Sequence, residues 1–359
     1  MARGNRGLVF TPDEIAVVHV MNRTTRRCWL FGDDPLTGKN YDHRKVWCEE
    51  RLKLLASQFG IDLISFTILD NHYHMVLRSR PDVVATWDDT EVARRWLTLC
   101  PKRKDDQGRA EEPTTAELNS IRKDRKLLAE IRTRLSHISW WVRLFSQKIA
   151  QRANLEEKET GKFFQARFKA TRLIDETSIL ACAAYVDLNP IRAAIAETLE
   201  MSHFTSIQRR VQDLKAGHAK RRGGKASEAP AEQQFRSGFL SPVDLNEHAG
   251  EIGPCAHEGG RRCSDKGFLP MSAAAYAELL DWTARQVRSD KRGATPANLA
   301  PLFERLGIDA QTWIRLVEDF GRLFSLIAGH PAAIDQHQPP SGDRRFRTRA
   351  VTRELFASL

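Results

Sequence analysis

No stretch of about 18 consecutive apolar residues occurs in this 359-residue chain, so a membrane-spanning helix is not expected. No apolar core follows the opening Met1-Ala-Arg-Gly-Asn-Arg-Gly7 either, which speaks against Sec export. Cysteines are sparse: Cys28, Cys48, Cys100, Cys182, Cys255 and Cys263 lie scattered over a long chain. That is not the dense framework of a small secreted scaffold, and reduced thiols in the cytoplasm are the expectation. No internal repeat is visible. Acidic residues are in deficit, 46 against 56 Lys plus Arg, leaving a formal charge of +10. The excess favours a polyanionic partner, although net charge speaks to association and not to fold. The 41% apolar content excludes wholesale disorder, and the length suggests roughly two domains.

What is present begins with Ile15-Ala-Val-Val-His-Val20, a β-branched run that reads as a strand. Asp42 to Phe59 has Val46, Leu52, Leu55 and Phe59 spaced among charges as on an amphipathic helix, with Gly60 at the stop position. Ile61 to Leu69 reads as a second strand. Asn71 to Leu77 reads as a third, after an Asp70-Asn71 pair suited to a hairpin turn. From 82 to about 135 the chain turns charged and reads as a helical insertion with a loop near 101–115. Leu135 to Ala153 is periodic and helical, Gly161 to Lys169 looks like a short strand or loop, and Ile179 to Asn189 is a helix stopped by Pro190. Lys215, Lys220, Arg221, Arg222 and Lys225 among Gly, Ala and Ser mark a basic linker. Amphipathic helical segments follow between Met271 and His330.

His72-Tyr73-His74 is the strongest local signal. Residues i and i+2 of a strand share a face, so both imidazoles can converge on one metal ion. Taken alone, a His-x-His pair is common in packed strands. Tyr185 and Asn189, four apart on a helix, also share a face, and a phenol beside a neutral oxygen ligand opposite a His pair would make a metal-assisted nucleophilic site. In isolation, Tyr185 reads rather as a core aromatic and Asn189 as a helix cap. His19 reads as a packed core histidine or as a group supporting the pair. Cys255-Ala-His257 with Cys263, near His248, matches no common zinc spacing.

Thr67-Ile-Leu-Asp-Asn-His-Tyr-His-Met-Val-Leu77, Gly161-Lys-Phe-Phe-Gln-Ala-Arg-Phe-Lys169 and Tyr185-Val-Asp-Leu-Asn-Pro-Ile-Arg-Ala193 together resemble the single-tyrosine HUH transposases, in particular the REP-associated tyrosine transposase branch. His19 to Phe31 is similar to the first strand and loop of that family. The resemblance implies an α/β fold of ferredoxin-like type, an antiparallel sheet with helices on one face, over residues 10–212 with the insertion at 82–135. A basic linker at 213–250 and a helical C-terminal region at 251–359, of unknown role, would follow. It implies a divalent metal held by His72, His74 and Asn189, and Tyr185 as a nucleophile that cuts single-stranded or hairpin DNA through a 5′-phosphotyrosine link. Leu69-Asp70 stands where relatives commonly carry Met-Pro, which alters the turn and not the ligands.

A free tyrosine has a pKa near 10 and is a weak nucleophile at neutral pH, so it needs such help. Two imidazoles and an amide suit manganese or zinc by donor chemistry, whereas the resemblance implies Mg2+ or Mn2+. Arg167, Lys169 and Arg172, interleaved with Phe163, Phe164 and Phe168, suit phosphate contact with base stacking, and Arg23 and Arg27 are similar DNA-binding candidates. Each could equally belong to a solvated face. Lys220-Arg-Arg-Gly-Gly-Lys225 is either a nucleic-acid arm or a solubilising linker. Two rival functions stay open: a catalytically silent hairpin-binding protein or repressor, and a metallohydrolase that activates water. The sequence does not decide between a monomer and a homodimer, and no membrane partner is expected.

Overall fold

The computed structural model describes residues 6–221, 236–245, 252–254, 256–288, 296–338 and 346–357. Val17, Val18 and Val20 open β1 (Val17–Arg23), as expected of β-branched residues on a pleated surface. Helix α1 (His43–Gln58) follows, within a residue of its expected ends, and buries Cys48, Leu52 and Leu55. Phe59 leaves helical geometry, and Gly60 lets the chain pass so close to the next segment that a Cβ there would sit 2.2 Å from Val84 Cγ2. Strands β2 (Ile61–Ile68) and β3 (His72–Ser79) form the expected hairpin. Its turn is closed by the Leu69 N–H donating to the His72 carbonyl at 2.9 Å, and Lys45 Nζ holds Asp70 at 2.6 Å.

The insertion is helical: α2 (Pro81–Thr86), α3 (Asp89–Leu99), α4 (Thr115–Arg122) and α5 (Arg125–Ser136). The Asp88, Thr114 and Asp124 side chains cap the last three, each accepting from a first-turn N–H. Helix α6 (Ile138–Glu157) buries Trp141, Phe145 and Ile149. The next strand, β4, is Lys169–Leu173, later than the 161–169 segment expected. Phe163 is instead drawn into the core against Phe31, and Phe164 makes only an isolated bridge to Thr24.

Helix α7 (Glu176–Asp187) starts on an Asp175–Ser178 capping box and ends at Leu188, before Asn189. Asn189 and Pro190 begin a further short helix, α8 (Asn189–Arg192). Pro190 therefore starts a helix where it was expected to stop one, because its missing N–H is not needed in a first turn. Helix α9 (Ser206–Arg221) runs through 213–221, which composition assigns to the linker, while 222–235 and 246–250 lie outside the described residues. The C-terminal region supplies α10 (Ala273–Val287), α11 (Ala300–Leu306), α12 (Ala310–Glu318), α13 (Phe320–Leu323), β5 (Ile327–Ala328), α14 (Pro331–Gln336) and α15 (Ala350–Ala357).

These elements make an α/β fold around one five-stranded sheet in the order β2-β3-β1-β4-β5. The first three pairings are antiparallel, but β5 joins β4 in parallel, so the sheet is mixed where an antiparallel one was expected. Helices also cover both faces, not one. Val18, Val20, Tyr73, Met75 and Leu77 pack with α1 and α6, whereas Ile64, Val76 and Leu173 pack with α7 and the C-terminal helices. Strand alternation sends successive residues to opposite sides, and both sides need cover. Among the described residues no helix is long and apolar enough to cross a membrane.

Candidate active site

Register places the histidines. In β1, Met21 lies opposite His74 and Arg23 opposite His72, while on the other edge His19 faces Thr171 and Met21 faces Lys169. His19, His72 and His74 thus project from the face covered by α7. His19 Nε2 and His74 Nδ1 are hydrogen-bonded at 2.8 Å, with the ring planes parallel to within 3°. The His72 and His74 ring centroids are 5.1 Å apart, and Asn71 Oδ1 bonds His72 Nδ1 at 2.6 Å. Both Nδ1 atoms are engaged, which leaves each Nε2 for another partner.

Burial holds these imidazoles neutral. It lowers His19 to about 4. Burial and then Arg23 lower His72 to about 4, and burial followed by the neighbouring His19, His72 and Arg192 takes His74 well below the usual histidine range. Neutral imidazole is the metal-binding form.

Tyr185 comes to the same place from α7. The small residues just before it, Ala181, Cys182, Ala183 and Ala184, are fully buried and let the helix lie close to β2 and β3. Asp187 fixes its end, accepting hydrogen bonds from Tyr276 Oη at 2.8 Å and the Ile207 N–H at 2.9 Å. Burial raises the Asp187 pKa, opposed by Arg210 and these bonds. The Tyr185 ring stands edge-on to His74, with centroids 5.5 Å apart, and 6.0 Å from His19. Phe320 covers it at 5.6 Å, and the Arg192 guanidinium lies 4.5 Å over its ring centroid. A cavity of about 330 Å³ opens here, lined by His19, His74, Lys169, Tyr185, Phe320 and Arg349 among others.

The remaining sequence-expected residues divide. Asn189 is buried at the start of α8, and among the described residues its carboxamide makes no hydrogen bond to either imidazole. Lys169 is exposed on the cavity wall. Arg23 shares the histidine face, with its Nε buried and unpaired. Arg27 is exposed in a left-handed turn at φ 62°, and its carbonyl accepts from Asn71 Nδ2 at 3.4 Å. Arg167 is exposed beside Trp140 and Arg143. Arg172 is paired with Glu14 through both terminal nitrogens, at 2.8 and 2.9 Å. Cys255 and His248 lie outside the described residues, while His257 sits 3.4 Å from Glu91 and the Cys263 thiol 3.3 Å from Asp62. Among the described residues no three His, Cys, Asp or Glu side chains are grouped to hold a metal, so a metal at His72 and His74 would need donors of another kind.

Sequence reasoning missed Arg192, Phe320 and Arg349. Arg192 lies within the Tyr185–Ala193 motif, one helical turn and more past the phenol, and that spacing was its only signal. Phe320 and Arg349 carry none, because only the chain's return through β5 brings them to the cavity.

No protein-family model matches this chain, and no curated protein is similar to it. A solved structure of a REP-associated tyrosine transposase bound to a REP hairpin is similar over 59% of this chain and 86% of its own, at 10% identity and a TM-score of 0.34.

Proposed function

We propose that this protein is a DNA strand transferase of the single-tyrosine HUH transposase type, with a ferredoxin-like core, acting on single-stranded or hairpin DNA. The observation that carries this reading is the approach of Tyr185 to His74, which stands beside His72, from segments far apart in the chain, with Tyr185 and His74 both at the wall of one cavity. The family resemblance of the motifs holding these residues supports it.

In this reading the Tyr185 phenol oxygen attacks a backbone phosphorus and the bond from phosphorus to the 3′ oxygen breaks. A 5′-phosphotyrosine link and a 3′-hydroxyl result, the phenolic proton being replaced by the phosphoryl group and the leaving oxygen gaining a proton. The ester energy is retained in the tyrosyl link, so attack by another 3′-hydroxyl rejoins DNA without external energy. His72 and His74, with Asn189 as the third ligand, would hold Mg2+ or Mn2+, and the engaged Nδ1 atoms and neutral rings fit that role. Such an ion would neutralise charge on the scissile phosphate. His19 fixes the tautomer and orientation of His74. Phe320 and Arg192 hold the phenol ring, while Lys169 and Arg23 offer cations to the flanking phosphates.

The test uses labelled hairpin DNA and manganese. The wild-type protein is expected to form a protein–DNA band that survives denaturation, and the His72→Ala/His74→Ala variant or added chelator should reduce it at least a hundredfold. Full adduct formation in chelator would refute the metal role. Free 5′-phosphate ends without an adduct would instead identify a water-activating hydrolase.

A further inference from the structure

Tyr185 is carried by α7 and the histidine pair by β3, so the distance from phenol to imidazole depends on how α7 lies on the sheet. Small buried residues set the height of the helix above β2 and β3, but such apolar contact is non-directional and does not fix its position along its own axis. Directional contacts come from the C-terminal region and reach both ends of the helix. At the first turn, Asp175 caps α7 with one carboxylate oxygen and accepts the His330 N–H on the other at 2.6 Å. Gly329 passes so close there that a Cβ would meet Asp175 Oδ2 at 2.8 Å. Arg305 pairs with Glu176 at 3.0 Å. At the last turn, Asp187 Oδ2 accepts from Tyr276 Oη at 2.8 Å, while Oδ1 accepts from Ser206 Oγ and, at 2.9 Å, from the Ile207 N–H. Asp187, Ser206 and Tyr276 are fully buried. A carboxyl group held by donors from two other helices keeps its place, because losing a donor would leave a desolvated oxygen without a partner.

We propose that Tyr276 is a positioning residue for the nucleophile: its hydroxyl, acting through Asp187, fixes α7 along its axis and so sets where the Tyr185 phenol stands relative to His74. This role rests on the reading of Tyr185 as the nucleophile, and it gives the C-terminal region a part in the reaction. Asp187 lies two residues past Tyr185, a rise of about 3 Å, so a shift of the carboxyl group is passed on to the phenol. It also lies just before the break at Leu188, after which α8 brings Arg192 to 4.5 Å over the Tyr185 ring. Tyr276 is in turn tied into the C-terminal region. Its ring stands edge-on to Phe268 at 6.3 Å, and α10 is joined to α12 by Trp313 Nε1 donating to Thr283 Oγ1 at 2.9 Å. Helix α12 packs along α7, and the carbonyl of its last residue, Glu318, accepts from Arg192. The attack on phosphorus tolerates little error, since misplacing reacting groups by about 1 Å costs on the order of 100-fold in rate.

The experiment compares the full wild-type chain with Tyr276→Phe, which keeps the ring and removes the hydroxyl, and with Thr283→Val, which breaks the bond to Trp313 inside the C-terminal region and leaves Asp187 its donors. Three quantities are read: the single-turnover rate of adduct formation at saturating hairpin DNA and manganese, hairpin affinity without metal, and amide hydrogen exchange of the free protein. Both variants are expected to unfold at lower denaturant than wild type. Only Tyr276→Phe should slow the adduct, by about 10- to 100-fold, with hairpin affinity changed less than twofold. Its α7 amides should exchange about tenfold faster while those of β1 and β3 do not change. An adduct rate and α7 exchange equal to wild type would overturn the proposal. Equal slowing by Thr283→Val would also overturn it, because the effect would then be general loosening of the C-terminal region. Absence of adduct from the wild type, with the α7 exchange difference present, would refute the nucleophile reading alone and still support the hold of Tyr276 on α7.

Discussion

The two faces of the sheet are built from the same strands to opposite ends. On one, Val20, Tyr73 and Met75 meet Trp141 and Phe145 with essentially no exposure, a dry contact made for stability. On the other, the residues between them include His19, His72, His74 and Arg23, and His19 and His74 meet Tyr185 of α7 at a cavity. Buried there are imidazoles whose protonated forms the surroundings penalise. One-residue alternation is enough to separate the two tasks, so the second face can carry a reactive cluster while the first holds the strands in register.

The sharpest way to break that division is to attack the dry face. Trp141→Ala should cost about 3–5 kcal/mol of stability, read by denaturant unfolding, without changing which DNA ends are formed. A loss below 1 kcal/mol would mean that this face is not the structural one. His19→Phe on the other face keeps the volume but removes the bond to His74. The manganese concentration for half-maximal adduct should rise about 10- to 100-fold, as for other groups that orient metal ligands. An unchanged manganese requirement would return His19 to the role of a packed core residue. Lys169→Ala, at the cavity wall, should have the smallest effect. Its expected signature is a salt slope for DNA binding lowered by about 1, and an unchanged slope would remove Lys169 from the contact set.

How much of this was legible follows from where the determining contacts lie. The β2–β3 hairpin and His72-Tyr73-His74 could be read because turn chemistry at Asp70-Asn71 and a period of two are local properties. Helix α1 was readable from its apolar spacing for the same reason. The position of β4 was not, since Phe163 and Phe164 look as strand-like as Lys169–Leu173 until tertiary packing takes Phe163 into the core. The pairing of Arg172 was not legible because its partner, Glu14, lies far away in sequence. The C-terminal wall is the extreme case: the two residues of β5 carry no pattern, yet their parallel pairing with β4 accompanies Phe320 and Arg349 to the cavity at Tyr185. The break at Leu188, which puts Asn189 at the start of α8 and not on the helix of Tyr185, was not legible from spacing alone.

The central claim is that the phenol oxygen of Tyr185 becomes joined to DNA. It is tested most directly by incubating wild-type protein and Tyr185→Phe with labelled hairpin DNA and manganese, then resolving them under denaturing conditions. The account predicts a covalent band for the wild type and none for the variant, with hairpin binding retained in both. A band of equal intensity from Tyr185→Phe would contradict it.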